Sequence, residues 1–292
     1  MRQNGLELVK KGDARFCEEL YKATDSVCAT EGLKMIRLSG PTCAGKTTAA
    51  KMIVKGMAEN GKHAVPISID DFYYDCDVLH KMSAQKGLSS PDYDSPDTID
   101  VEAMSKFTHD IFSKGEAYCP VFDFTTGKST LSKKVTLGEN DILIFEGIQA
   151  VYPNIVELFG DMEADCIFIA PLESVCDGGE CFEPNEIRLM RRIVRDANFR
   201  DTSAIETMDL WKSVRANEDA HIFPQVDKCR YLINSSMPYE IGVLKPHFER
   251  VIRAAESDRY ASEFARMLAK LADVEPISSE YIGEDSLYKE FI

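Results

Sequence analysis

The stretch Gly40-Pro41-Thr42-Cys43-Ala44-Gly45-Lys46-Thr47-Thr48 fits the pattern G-x-x-x-x-G-K-[ST]. Glycines at these positions let backbone N–H groups close around phosphate oxygens, and a helix starting there adds partial positive charge. Lys46 has the reach to meet β- and γ-phosphates, and the Thr47 hydroxyl can hold Mg²⁺. The pattern carries this meaning only between a strand and a helix, and both flanks qualify. Met35-Ile36-Arg37-Leu38-Ser39 is an apolar run of strand length. Ala49, Ala50, Met52, Ile53, Val54 and Met57 recur at helical spacing until Asn60-Gly61. These residues imply binding of a nucleoside triphosphate.

Transfer of a phosphoryl group to an alcohol also needs a carboxylate to take the acceptor's proton, and cations to meet the developing charge. Asp70 and Asp71 follow the strand-like run 63–70 and precede the aromatic residues Phe72-Tyr73-Tyr74. One carboxylate there can face the γ-phosphate while the aromatics wall an acceptor pocket, the other serving as a cap; the residues alone leave the choice open. Glu146 ends Ile142-Leu143-Ile144-Phe145 and is a candidate Mg²⁺ partner, directly or through water. Arg188, Arg191, Arg192 and Arg195 follow the helix start Pro184-Asn185-Glu186 and fall on adjoining helical faces. They suit a lid that clamps phosphates, the alternative being a salt-bridged surface helix.

The elements that must position these groups read as a doubly wound parallel α/β sheet of about five strands, with helices on both faces. Candidate strands are 35–39, 63–70, 141–147, 165–170 and 231–236. In such sheets ligands lie beyond the carboxyl ends of the strands, so the P-loop, Asp70-Asp71 and Glu146-Gly147 should meet at one edge. An amphipathic helix is expected from Asp13, as N-cap, to Cys28, followed by a break at Glu31-Gly32. Residues 76–100 read as an irregular loop, 101–112 as a helix and 120–134 as a hairpin or loop. Ser203-Ala204-Ile205-Glu206 has the form of a capping box, and Trp211 is expected in the core. A last helix carries Tyr260, Phe264, Met267, Leu268 and Leu271, and the apolar tail after Pro276 should dock on its own core or on a second subunit.

The net charge of −15 over 292 residues argues against a general nucleic-acid or anionic-membrane surface, so cationic groups must be placed locally. No apolar run reaches membrane-spanning length, and residues 1–30 lack the apolar core of a signal peptide. The nine cysteines form no regular framework and suggest reduced thiols in a cytoplasmic protein. Cys176 and Cys181 have a loose metal-ligand spacing without a second pair. Cys43, inside the glycine-rich loop, is either an oxidation-sensitive thiol or only a small residue.

Together these landmarks resemble the uridine kinase and phosphoribulokinase family of P-loop kinases over roughly residues 33–255. Ser68-Ile69-Asp70-Asp71-Phe72-Tyr73 is similar to the family segment S-x-D-S-F-Y, whose aspartate is the general base, which implies Asp70. Tyr93-Asp94-Ser95-Pro96-Asp97 resembles F-D-H-P-D, whose first aspartate contacts ribose hydroxyls, which implies Asp94. Phe145-Glu146-Gly147-Ile148 looks like F-E-G-I, and 188–196 closely resembles the arginine-rich lid helix. The stretches 202–215 and 256–292 look like a bacterial uridine-kinase-like subgroup. In true uridine kinases a tyrosine stands where Phe122 is, and a histidine lies near Gly127; together they read the pyrimidine edge. Phe122 has no hydroxyl and Gly127 no side chain, so the resemblance does not extend to that recognition.

The expectation is an ATP- and Mg²⁺-dependent kinase acting on a primary hydroxyl, with uridine or a related nucleoside as first choice of acceptor. A sugar, polyol or pantothenate-like alcohol is the alternative within enzymes, and an NTP-binding regulatory module the alternative outside them. Expected catalytic residues are Asp70, Lys46, Arg191 and Arg192. The nucleotide falls to residues 40–48 with Arg195, the acceptor to Asp70, Tyr73, Asp94, Phe124 and Arg188, and the metal to Thr47 and Glu146. No N-K-x-D or L-S-G-G-Q motif points to a GTPase or a transporter ATPase. The chain divides into an N-terminal segment (1–32), a kinase domain (33–255) and a C-terminal helix and tail (256–292), and a homo-oligomer is expected.

Overall fold

Short apolar runs shielded on both faces by helices satisfy their backbone only by pairing with one another, and parallel pairing follows when helices connect them. The computed structural model describes residues 4–292 apart from 86, 88–90, 161, 163 and 256–258. Helix α1 (Gly5–Cys28) precedes strand β1 (Met35–Ser39) and α2 (Lys46–Glu59). Strand β2 (Ala64–Ser68) runs into a 3₁₀ turn over Ile69–Phe72, then α3 (Cys76–Gln85) and α4 (Val101–Lys114). A hairpin of β3 (Glu116–Asp123) and β4 (Lys128–Thr136) precedes β5 (Ile142–Glu146), the one-turn α5 (Pro153–Val156) and β6 (Ala164–Ala170). The small hairpin β7 (Val175–Asp177) and β8 (Glu180–Phe182) leads to α6 (Pro184–Phe199) and α7 (Ala204–Asn217). Then come β9 (Tyr231–Asn234), α8 (Glu240–Arg253), α9 (Ala261–Lys270) and the 3₁₀ turns Ser279–Tyr281 and Leu287–Glu290.

Five strands form one sheet in the order β2-β5-β1-β6-β9, every neighbour parallel. Leu38 and Ser68 both stand opposite Glu146, so the carboxyl ends of β1, β2 and β5 are level. The loops after them therefore open on one edge. Two apolar clusters cover the two faces of the sheet. One joins Phe16, Ile53, Ile193 and Phe248 to Leu287, Tyr288 and Phe291, so the tail docks on its own core. The other joins Phe72, Phe107, Phe122 and Phe145. Trp211 is partly buried against the first cluster, and Ser203 and Glu206 make the expected reciprocal cap.

Three expectations need correction. Helix α1 begins at Gly5, capped by the Asn4 side chain, because the buried stripe continues backward from Phe16 through Gly12 and Val9. Asp13 is no cap; its carboxylate accepts hydrogen bonds from the hydroxyls of Tyr239 and Ser286. Within the stretch read as irregular, α3 forms where Leu79 and Ser83, one turn apart, are buried. Finally, Cys176 and Cys181 are joined by a disulfide and are not reduced thiols. They stand opposite each other across the β7–β8 pair, 4.0 Å apart at Cα, a proximity made by the hairpin turn between them.

Candidate active site

Strand β1 delivers the glycine-rich loop to the open edge, and the loop turns into α2 at Gly45, whose φ of 95° is left-handed. Glycine is required there for this reason and because a Cβ would collide with the Leu287 side chain. Lys46 Nζ donates to the Gly40 and Pro41 carbonyls, 3.0 Å each, curling over its own loop. The Thr42 N–H donates to Glu218 Oε1 at 3.0 Å.

The 3₁₀ turn after β2 separates the two aspartates. Asp70 lines a cavity of about 940 Å³ together with Lys46 and Thr47. Asp71 instead accepts the Phe122 N–H at 3.3 Å and ties the turn to the β3–β4 hairpin. Burial raises the Asp70 carboxyl above its usual range, opposed by the Lys46 charge and a hydrogen bond from Gln149. Gln149 is a residue that sequence reasoning missed. Fully buried, it donates from Nε2 to Asp70 Oδ1 (3.3 Å) and to the Tyr73 hydroxyl (2.8 Å). Tyr73 in turn donates to the Tyr93 carbonyl at 2.9 Å. The base candidate is thus held by the Gln149 amide, which is itself fixed through the Tyr73 hydroxyl.

Tyr73, Asp94 and Phe124 line the same cavity. The Tyr73 ring meets those of Phe122 and Phe124 edge-on, at 5.5 and 6.1 Å between centroids. Burial pushes Asp94 up to about 6, with Arg192 pulling the other way. Glu146 is pushed up to about 7, again by burial, with Lys46 opposing. Such a carboxylate lacks a full counter-charge. Gly127, at φ 65°, accepts the Cys76 N–H at 2.8 Å, and a Cβ there would strike the Cys76 sulfur.

The arginines of α6 divide between the cavity and the core, although the two pairs interleave around the helix. Arg192 and Arg195 line the cavity, each paired with Asp196, and are joined there by Arg200, which sequence reasoning missed. Arg188 and Arg191, expected at the acceptor and the reacting phosphate, are not brought to the cavity. They are 1% and 0% exposed and pair with Glu218 and Glu240 at 2.6 and 2.8 Å. Their remaining donors reach the Thr42 and Cys43 carbonyls, so they brace the loop from behind. The apolar stripe Ile187, Met190, Ile193 and Val194 marks a buried face on α6, but α6 alone does not mark which arginines meet carboxylates, since the partners lie 30 and 49 residues away.

Among known proteins, the sequence model of the phosphoribulokinase / uridine kinase family matches residues 35–240. A uridine kinase of Ureaplasma parvum is 28% identical over 61% of this chain and 76% of its own length. A uridine kinase of Schizosaccharomyces pombe is 27% identical over 61% of this chain and 35% of its own. Among solved structures, phosphoribulokinase from Rhodobacter spheroides is similar, with a TM-score of 0.46 and 14% identity over 68% of this chain and 69% of its own.

Proposed function

The chain belongs to the phosphoribulokinase / uridine kinase family and is an ATP-dependent phosphotransferase acting on a hydroxyl of a small molecule, and on that premise we propose that its acceptor is uridine or a related nucleoside. The observation that carries the reading is one cavity shared by Lys46 of the phosphate loop, the partly buried carboxylate Asp70 and the aromatic wall of Tyr73 and Phe124. In the proposed reaction the acceptor oxygen attacks the γ-phosphorus while its proton passes to Asp70. The bond from that phosphorus to the bridging oxygen breaks, and ADP leaves. Lys46, Arg192 and Arg195 meet the charge spread over the transferring group.

Magnesium would offset triphosphate charge, and Thr47 and Glu146 suit it. One hydroxyl and one under-compensated carboxylate fit a cation that keeps several waters and shares the substrate's phosphates.

The two arginine pairs should separate in mutants. Arg192→Gln is expected to lower kcat by roughly 10²-fold, the scale for one donor aimed at developing charge, with little change in Tm. Arg191→Gln should instead destabilise the fold by about 3–5 kcal/mol, because it leaves Glu240 buried and unpaired. Turnover and thermal unfolding of both proteins check this; equal behaviour would remove Arg192 from the site.

For the acceptor, Phe122 is nearly buried and position 127 has no room for a side chain, so neither can read a base edge. Selectivity then rests on the aromatic faces and on Asp94, which is free to meet ribose hydroxyls. Removal of a ribose hydroxyl is expected to cost more rate than exchange of the base. Steady-state rates with uridine, cytidine, a purine nucleoside and 2′-deoxyuridine test this. Strong preference for uridine with the deoxy analogue accepted would overturn it. Turnover of a sugar or pantothenate-like alcohol, with none of the nucleosides, would replace the proposed acceptor.

A further inference from the structure

The last residues of the sequence lie on the phosphate loop. Leu287, Tyr288 and Phe291 are buried, and the Arg191 guanidinium stacks over the Tyr288 and Phe291 rings at 5.2 and 5.1 Å. The Tyr288 hydroxyl bonds to Glu240, the carboxylate that pairs with Arg191. Leu287 covers Gly45 closely enough to exclude any side chain there. These anchors hold the segment against the start of α2.

Between them, Glu290 is only partly buried and lines the cavity with Lys46, Thr47 and Arg195. Its Oε2 accepts hydrogen bonds from the Thr48 N–H at 3.4 Å and the Thr48 hydroxyl at 3.2 Å. The first N–H groups of a helix have no partner within it, which is why this turn of a phosphate loop attracts phosphate oxygens. Here a carboxylate of the same chain holds one of those N–H groups and the neighbouring hydroxyl. Lys46, turned onto the loop carbonyls, is likewise engaged within the protein.

We propose that Glu290 is a resident anion of the donor site, a carboxylate seated on first-turn donors of α2 that the phosphates of the incoming nucleotide must displace. Two anions cannot share the donors of Thr48, so the seated carboxylate and the bound nucleotide exclude each other there. The C-terminal segment thereby sets donor affinity, in addition to closing the core. By linkage, whatever holds Glu290 on Thr48 weakens the nucleotide, and the nucleotide loosens Glu290 by the same factor.

The proposal rests on the reading of the loop as a nucleoside triphosphate site, so its test must report binding apart from turnover. Calorimetric titration of the full chain with ATP and magnesium chloride is compared for wild type, Glu290→Gln and Glu290→Ala, with thermal unfolding as a check on the fold. Glu290→Gln keeps the shape and removes the charge. Both variants are expected to bind ATP about five- to tenfold more tightly than wild type, with a matching fall in the KM for ATP. Equal or weaker binding by folded Glu290→Gln, with wild type binding ATP, overturns the resident anion and leaves the donor site standing. Failure of all three folded proteins to bind ATP removes the donor site, and the proposal with it.

Discussion

Lys46→Ala is expected to lower turnover by at least about 10³-fold, the scale of a cation placed on a transferring phosphoryl group. The side chain is the cation of the loop itself, and its ammonium stands within reach of both the loop carbonyls and the cavity. Losing it leaves the Gly40 and Pro41 carbonyls without that donor, an effect on stability of only about 1 kcal/mol. A folded variant is therefore expected, and coupled detection of ADP with circular dichroism as control checks it. Near-normal turnover by the folded variant would show that the loop does not hold the reacting phosphate.

Asp70→Asn is expected to lower kcat by about 10² to 10⁴, with ATP affinity little changed, because the carboxylate takes a proton only as the hydroxyl attacks. Asp71→Asn should be far milder. Asp71 serves the hairpin by accepting the Phe122 N–H, and an asparagine oxygen can do the same. The pH dependence gives a second readout. Burial raises Asp70, so the base is protonated, and activity lost, at a higher pH than for an ordinary aspartate. The acidic limb of kcat/KM for the acceptor should lie above the usual carboxylate range in wild type and be absent in Asp70→Asn. Reversed severity of the two substitutions would give the proton-accepting role to Asp71.

Both predictions depend on residues that local sequence could identify. The glycine-rich loop is a continuous segment whose strand and helix flanks are written in periodicity, and its geometry follows from those flanks. The level strand ends at Leu38, Ser68 and Glu146 follow from parallel order. Once the runs are read as a doubly wound sheet, their carboxyl ends must share one edge. The choice of Asp70 over Asp71 came from resemblance alone. Geometry supplies an independent ground, since one aspartate faces the cavity and its neighbour is held by the hairpin.

Sequence by itself therefore determined the chemistry class, the sheet, and the segments that carry the loop, the base candidate and the basic helix. Tertiary structure decided which side chains reach the cavity. The helical pattern interleaves Arg188 and Arg191 with Arg192 and Arg195 and so does not sort the two pairs. Glu218 and Glu240, brought from other elements, draw the first two into the core. Gln149 acquires meaning only when β5 and β2 pair and set it beside Asp70. Glu290 is an ordinary acid in an irregular tail until the apolar residues around it dock on α2 and α6. Periodicity and turn chemistry are local and can be read along the chain. Pairing of charges across distant segments is set by packing, and no residue carries a local mark of the partner it will meet.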